Sequence, residues 1–190
     1  MAGFEVITEA AIGSSGDNPA ALAELAGIIL CDGLRYPVTR IQEIRFASDT
    51  PFETVMRARP GLGKQVLSPL IARKLRQELV GVVEHGTARR AFQSVVLPSG
   101  SLVEVGGKTG TGDNRLHTYS AGGVQLQSQP LNRTAAFVFF IGDRYFGTVV
   151  AYVPGAEAGS FHFTSALPVQ VLKLLVATNP PIARTGLVTD

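Results

Sequence analysis

One lysine stands among glycines and two hydroxyl side chains in residues 105–113, whose sequence is VGGKTGTGD. Thr109 and Thr111 follow this lysine, Lys108, and Gly110 separates the two threonines. An ammonium group, two hydroxyls and open backbone N–H groups can together bind an anion such as a carboxylate. The segment therefore predicts an anion-binding site, in which glycine lets a ligand approach the backbone closely.

The runs around this segment predict that it lies on a β-strand. An alternating run, SLVEV, occupies residues 101–105 and leads directly into the lysine. Two apolar, β-rich runs at residues 134–141 and 146–153 are separated by GDRY, which predicts an antiparallel hairpin near the core. The stretch 113–134 is longer than the usual connection between strands, so the register of the sheet is left open there.

Three helices are expected to pack on this sheet. The first follows a cap at Asp17 or Asn18, opens at Pro19 and stops at Gly33. The second is capped by Ser68 and ends at residue 86, and the third covers residues 164–177. Helical spacing predicts that the second buries Ile71, Leu75, Leu79, Val82 and Val83, and the third Leu167, Val171, Leu174 and Leu175.

Two smaller features complete the expected layout. Residues 38–46 predict a half-exposed strand that pairs with residues 52–58 across a turn. We divide the chain into one domain portion, residues 1–178, and a loose tail, residues 179–190. The expected fold class is α+β, an antiparallel sheet packed with helices.

Composition excludes several classes of function. Of 190 residues, 45% are hydrophobic and 17% charged, which is sufficient for a folded core, and a net charge of +2 gives no basis for binding nucleic acid. Phe137, Phe139 and Phe140 are therefore expected in the core and not on a base-stacking platform. The single cysteine, Cys31, cannot form an internal disulfide, and no apolar run approaches the roughly 20 residues of a membrane span. We expect no metal and no cofactor.

Two interpretations of the lysine segment involve no peptide chemistry. A nucleotide-binding P-loop needs a glycine where Leu102 stands and a helix directly after Thr109, and the chain continues instead with glycine-rich sequence. A glycine-rich hairpin turn without a ligand is the purely structural alternative.

The order of several segments resembles penicillin-binding transpeptidases and serine β-lactamases, most of all class A penicillin-binding proteins. AIGS at residues 11–14 is similar to the family's entry to a helix, and CDG at residues 31–33 resembles the turn that ends it. QVLS at residues 65–68 and VVEHGTA at residues 82–88 match the bounds of the next helix. GKTGT at residues 107–111 then matches the lysine–threonine–glycine strand, so the resemblance covers about residues 11–177.

The resemblance implies an enzyme that acylates a serine with a peptidoglycan stem peptide, releases D-alanine and passes the acyl group to an amine. Lys108 and Thr111 would be catalytic, with the Thr111 N–H as an oxyanion donor, and Thr109, Gly110 and Thr111 would bind the substrate. The implied partners are the D-alanyl-D-alanine end of that peptide and β-lactams. The implied location is periplasmic or otherwise outside the cytoplasm, in a parent protein anchored in the inner membrane. The resemblance also implies a linked glycosyltransferase domain in that parent.

Two elements of the family are missing from this sequence. None of the four lysines has a serine three residues before it, and none of the four asparagines has a serine two residues before it. We therefore expect the C-terminal part of a transpeptidase domain, inactive alone, whose partner is the missing N-terminal half. A non-catalytic carboxylate-binding or interaction module of the same fold is the alternative. Such a piece is expected to expose apolar surface, through which a homo-oligomer could form.

Overall fold

A three-stranded antiparallel sheet is the centre of the computed structural model, which describes residues 18–59 and 61–178. The described part of the chain contains α-helices and antiparallel strands, so the α+β fold class is confirmed. In chain order its strands are β1 Leu34–Arg35, β2 Glu43–Phe46, β3 Thr54–Arg57, β4 Lys64–Gln65, β5 Val105–Tyr119, β6 Gln125–Ile141 and β7 Tyr145–Pro154. The segment 11–14, Asp17 and the predicted tail 179–190 lie outside the described residues.

Strand β6 lies in the middle of the main sheet, between β5 and β7. The predicted hairpin is confirmed, since β6 and β7 pair antiparallel with Phe137 opposite Val149. On the other side of β6, Thr109 of β5 lies opposite Phe137. Among the described residues, strand β5 therefore pairs on one side only and forms an edge of this sheet.

The stretch 113–134 is a β-ribbon and not a long connection. Strand β7 ends at Pro154, opposite Asn132 of β6. Strands β5 and β6 stay paired with each other beyond this point, and only residues 120–124 form the turn between them. Register shifts between Asn114 and Arg115, and again near Tyr119, mark bulges in the ribbon. The backbone groups of both segments pair with each other here, which satisfies hydrogen bonds that a loop would leave to water.

The first helix, α1, spans Pro19–Leu30 and matches its prediction. The Asn18 side chain accepts a hydrogen bond from the backbone N–H of Ala21 at 2.8 Å, which caps the helix. Gly33 has a φ of 86°, and a Cβ there would lie 2.0 Å from the carbonyl oxygen of Leu67. Only glycine fits this stop.

The second helix, α2, spans Pro69–Glu84, but its buried face differs from the prediction. Ala72 and Val83 are buried, whereas Ile71 and Leu75 are 50% and 39% exposed. The predicted spacing found an apolar stripe correctly but could not tell how much of that stripe a neighbour would cover. Ser68 is the N-cap residue, although its side chain makes no capping hydrogen bond.

The third helix, α3, spans Ala166–Thr178 and also turns a different face inward. Pro168, Val169, Leu172 and Val176 are buried. The predicted residues Leu167, Leu174 and Leu175 are instead 42%, 56% and 45% exposed. This helix carries apolar residues on all of its sides, so the helical spacing of apolar residues alone did not identify the buried face.

Helices cover both faces of the sheet. Phe137 is fully buried in a cluster that includes Val105, Ile141 and Val169, so α3 lies on this face. A Cβ on Gly27 of α1 would lie 2.6 Å from the ring of Phe146. Phe146 pairs with Phe140, which is also fully buried and faces the opposite side from Phe137. Phe139 is partly buried against the cluster of Phe137. The expectation that Phe137, Phe139 and Phe140 lie in the core is therefore confirmed.

The small hairpin of β2 and β3 confirms the predicted pairing, although both strands are shorter than expected. Glu43 binds Arg57 at 2.7 Å and also contacts Arg45.

Within the described residues, no helix is long and apolar enough to cross a membrane.

Candidate functional site

The predicted anion-binding residues lie along the first half of β5, at the edge of the sheet. Side chains of a strand alternate between its two faces. Thr109 and Thr111 therefore point to the α3 face, and Lys108 and Gly110 point to the opposite face. A ligand can contact both pairs only if it lies alongside the free edge of the strand.

Two of the glycines are required by packing. A Cβ on Gly107 would lie 2.4 Å from the Val138 carbonyl oxygen and 2.6 Å from the ring of Phe137. A Cβ on Gly106 would lie 2.2 Å from the ring of Phe140. These residues let β5 approach β6 and its aromatic side chains, which explains them without a ligand.

Gly110 has a different environment. A Cβ on Gly110 would have no heavy atom within 4 Å. The space beside this residue is therefore open, and a ligand could approach the backbone there.

The ammonium group of Lys108 is available to a ligand. Its Nζ donates a hydrogen bond to the Thr109 carbonyl oxygen at 2.7 Å. No ion pair joins Lys108 to a carboxylate in the part of the chain that the structure describes, whereas Lys74 pairs with Glu78 at 2.8 Å. A single neutral acceptor leaves the other two ammonium protons for an anion.

Thr109 faces the protein interior. It is 8% exposed, and its hydroxyl lies 2.6 Å from the hydroxyl of Thr87, in the turn after α2. The sequence prediction assigned both threonine hydroxyls to the ligand. The structure places the Thr109 hydroxyl beside Thr87, because the face that carries Gly107 and Thr109 packs against the core. Thr87 lies in the VVEHGTA segment, but its contact with Thr109 was not predicted.

Thr111 is exposed, and its hydroxyl oxygen accepts a hydrogen bond from the backbone N–H of Ser165 at 2.9 Å. Ser165 directly precedes α3, 54 residues further along the chain. Sequence reasoning missed this contact, because no local pattern links the two segments.

No metal site accompanies these residues. The structure, where it describes the chain, contains no group of three or more His, Cys, Asp or Glu side chains that could hold a metal ion. The polar groups along this strand edge are one ammonium, hydroxyls and backbone donors, a set suited to a carboxylate.

Comparison with known proteins places these features in a family. Residues 5–142 match the family model of the penicillin binding protein transpeptidase domain. No curated protein matches the chain in sequence.

Solved structures share the fold. Penicillin-binding protein 2B from Streptococcus pneumoniae strain R6 is 18% identical with a TM-score of 0.55, over 90% of this chain and 26% of that one. An imipenem acyl-enzyme complex of penicillin-binding protein A from M. tuberculosis is 17% identical with a TM-score of 0.52, over 87% of this chain and 32% of that one. The D,D-transpeptidase domain of a peptidoglycan glycosyltransferase from Eggerthella lenta is 22% identical with a TM-score of 0.51, over 80% of this chain and 30% of that one.

The chain thus spans between 26% and 32% of the length of these solved structures. At these identities the structural likeness shows the fold alone, and the family model supplies the sequence relationship. Because that model covers more than two thirds of the chain, the chain belongs to the penicillin-binding protein transpeptidase domain family.

Proposed function

We propose that the chain is the substrate-binding part of a serine D,D-transpeptidase that cross-links peptidoglycan stem peptides. One observation carries the proposal: edge strand β5 presents Lys108, which has no carboxylate partner among the described residues, beside the open space at Gly110. The family membership of residues 5–142 supports the same assignment.

The substrate would lie extended along the free edge of β5, antiparallel to the strand. Gly110 has no side chain to obstruct it, and Lys108 supplies positive charge to the terminal carboxylate of D-alanyl-D-alanine and assists proton movement. The Thr111 hydroxyl binds that carboxylate. The Thr111 backbone N–H is one of two donors to the developing oxyanion, and such a donor contributes about 3 kcal/mol.

Thr109 enters this proposal through its contact with Thr87. Either hydroxyl can be the donor in the 2.6 Å contact. If Thr87 donates, Thr109 keeps its own proton for the substrate carboxylate and can act together with Thr111. The small exposed fraction of Thr109 makes it the weaker of the two candidate ligands.

The nucleophile would come from another part of the domain. We propose that a partner segment carries the serine-x-x-lysine and serine-x-asparagine elements, which do not occur in this sequence. Residues 1–178 would then be the C-terminal portion of the domain, followed by a tail at 179–190. Exposed apolar side chains on α2, among them Ile71 and Leu75, suit a surface that the rest of the domain covers.

We also propose what kind of parent protein contains this chain. Resemblance favours a class A parent with a linked glycosyltransferase domain, anchored in the inner membrane with this domain outside the cytoplasm. The Eggerthella lenta neighbour, a transpeptidase domain of a peptidoglycan glycosyltransferase, supports the linked domain. The imipenem acyl-enzyme of the M. tuberculosis neighbour supports β-lactams as ligands.

Two measurements on the 190-residue chain test this function. Incubation with a fluorescent penicillin should give no label that survives denaturing electrophoresis, because the serine elements are absent. NMR titration with D-alanyl-D-alanine should still detect reversible binding, and Lys108→Ala and Thr111→Val should each weaken it. Covalent labelling would refute the division of the active site, and absence of dipeptide binding would refute the substrate-binding role.

A non-catalytic binding module is the second candidate, favoured by the lack of both serine elements in this sequence. It predicts the same dipeptide binding and the same absence of labelling. The coding sequence upstream separates the two candidates: both serine elements would be encoded there for the enzyme and neither for the module. Sedimentation of the isolated chain would show whether its exposed apolar surface produces a homo-oligomer.

A further inference from the structure

Arg133 of β6 binds a backbone carbonyl with two of its donors. Its Nε and Nη2 donate to the Phe163 carbonyl oxygen at 2.9 and 2.7 Å. The guanidinium also lies 5.5 Å from the centre of the Phe163 ring. Charge-assisted hydrogen bonds of this kind are short and directional, so Arg133 fixes the backbone at residue 163.

The segment that Arg133 holds leads directly to Thr111. Two residues after Phe163, the Ser165 backbone N–H donates to Thr111 Oγ1 at 2.9 Å. Arg133 and Asp113 are opposite each other in the ladder, so Arg133 lies two pairs further along the ribbon than Thr111, which is opposite Ala135. Arg133 and Thr111 thus lie on the same face of the sheet, and both contact residues 163–165.

This contact determines what the Thr111 hydroxyl can do. A threonine oxygen has two acceptor lone pairs and one proton. Ser165 occupies one lone pair and fixes the position of the oxygen, so the hydroxyl proton remains for another acceptor. A carboxylate is such an acceptor, and a fixed donor loses less conformational freedom when the ligand binds.

We propose that Arg133 is a positioning residue of the carboxylate site. It holds residues 163–165 so that Ser165 keeps the Thr111 hydroxyl oriented as a donor to the terminal carboxylate of the stem peptide. This inference rests on the proposed function, and it assigns a role to Arg133, Phe163 and Ser165. Arg133 acts through Thr111 and not as a direct ligand.

The test uses Arg133→Met, which removes the charge and both donors and keeps an aliphatic side chain, and Arg133→Lys, which keeps the charge. The matched control is Arg115→Met, because Arg115 lies on the same ribbon and its polar contacts among the described residues are with Ser128, at 2.8 Å, and Asp113, at 3.7 Å. Hydrogen exchange of the Ser165 amide reports the contact with Thr111. NMR titration with D-alanyl-D-alanine reports the dissociation constant.

Arg133→Met should accelerate exchange of the Ser165 amide and weaken dipeptide binding roughly five- to tenfold, as loss of one hydrogen bond predicts. Arg133→Lys should fall between the wild type and Arg133→Met, because one ammonium cannot reproduce two directed bonds. The Arg115→Met control should bind within about twofold of the wild type.

The possible failures are distinguishable. If the wild-type chain does not bind the dipeptide, the proposed function fails and the positioning role fails with it. If the wild type binds and Arg133→Met binds equally well, only the positioning role is refuted. If Arg133→Lys binds like the wild type while its Ser165 amide exchanges as fast as in Arg133→Met, Arg133 acts by charge and the positioning role is again refuted. Should Arg133→Met not fold, Ser165→Pro removes the backbone N–H that donates to Thr111 Oγ1 and must weaken binding for the proposal to stand.

Discussion

Replacing Gly107 with alanine should destabilise the fold by about 2 kcal/mol, whereas the same change at Gly110 should not. The Cβ added to Gly107 would lie 2.4 Å from the Val138 carbonyl oxygen, a backbone atom of the paired strand. That distance is about 1 Å shorter than a normal van der Waals contact, and Phe137 blocks the alternative direction at 2.6 Å. Overpacking of this kind typically costs about 1–3 kcal/mol.

Alanine also reduces the entropy of the unfolded chain, which returns about 0.4–1 kcal/mol at both positions. At Gly110, where a Cβ meets no atom within 4 Å, only this favourable effect remains. For a chain of this length, 2 kcal/mol corresponds to a decrease in Tm of about 4–8 °C. Gly110→Ala should leave Tm unchanged or raise it slightly.

Thermal unfolding followed by circular dichroism measures both variants, and urea unfolding gives the free energies. The two substitutions are chemically identical and lie three residues apart on one strand, so their difference isolates the packing effect. Equal stabilities of Gly107→Ala and Gly110→Ala would refute the argument that β5 approaches β6 closely at Gly107. A large loss of stability in Gly110→Ala would contradict the conclusion that the space beside Gly110 is open.

Two further predictions concern local structure. Asn18→Ala should lower the free energy of unfolding by about 1 kcal/mol, because it removes the side-chain acceptor of the Ala21 N–H. Ser68→Ala should lower it much less, because the Ser68 side chain makes no capping hydrogen bond. Urea unfolding compares the two variants. A hydrogen bond from Arg57, and to a smaller extent one from Arg45, holds the pKa of Glu43 below its usual value. The ionised Glu43 therefore stabilises the β2–β3 hairpin above the unfolded-state pKa of about 4.3. This stabilisation is lost as the pH falls through the pKa of Glu43 in the folded state. Amide exchange in β2 and β3, corrected for intrinsic rates, should then accelerate, and Glu43→Gln should remove this pH dependence.

Local sequence signals predicted the elements of this fold well. A cap at Asn18 and the stop at Gly33 bounded α1, and the two apolar runs around residues 142–145 gave the β6–β7 hairpin. These features depend on neighbouring residues, which the sequence displays directly. The buried faces of α2 and α3 were predicted less well, because burial depends on which distant elements cover each face. Leu174, for example, is apolar and correctly spaced but 56% exposed.

The candidate site also has features that the local sequence predicts and features that depend on distant segments. The motif around Lys108 follows from residue types on a single strand. The open space at Gly110 does not, because Gly106 and Gly107 are also glycines and pack closely. The orientation of Thr109 toward Thr87 depends on a contact between segments 22 residues apart, and the contact of Ser165 with Thr111 spans 54 residues. No pattern within either segment encodes these contacts. They arise from the packing of the loops after α2 and before α3 against one strand.

The most direct test of the central claim maps dipeptide binding onto β5. The ¹⁵N-labelled chain is titrated with D-alanyl-D-alanine and, separately, with its C-terminal amide, which lacks the carboxylate. We predict saturable shifts of the amides at residues 108–111 with the acid, and at least a tenfold weaker response with the amide, because a charged ligand makes the stronger hydrogen bonds. Equal responses to both compounds, or shifts confined to residues outside β5 and its neighbours, would contradict the assignment of this strand as the carboxylate-binding edge of a transpeptidase site.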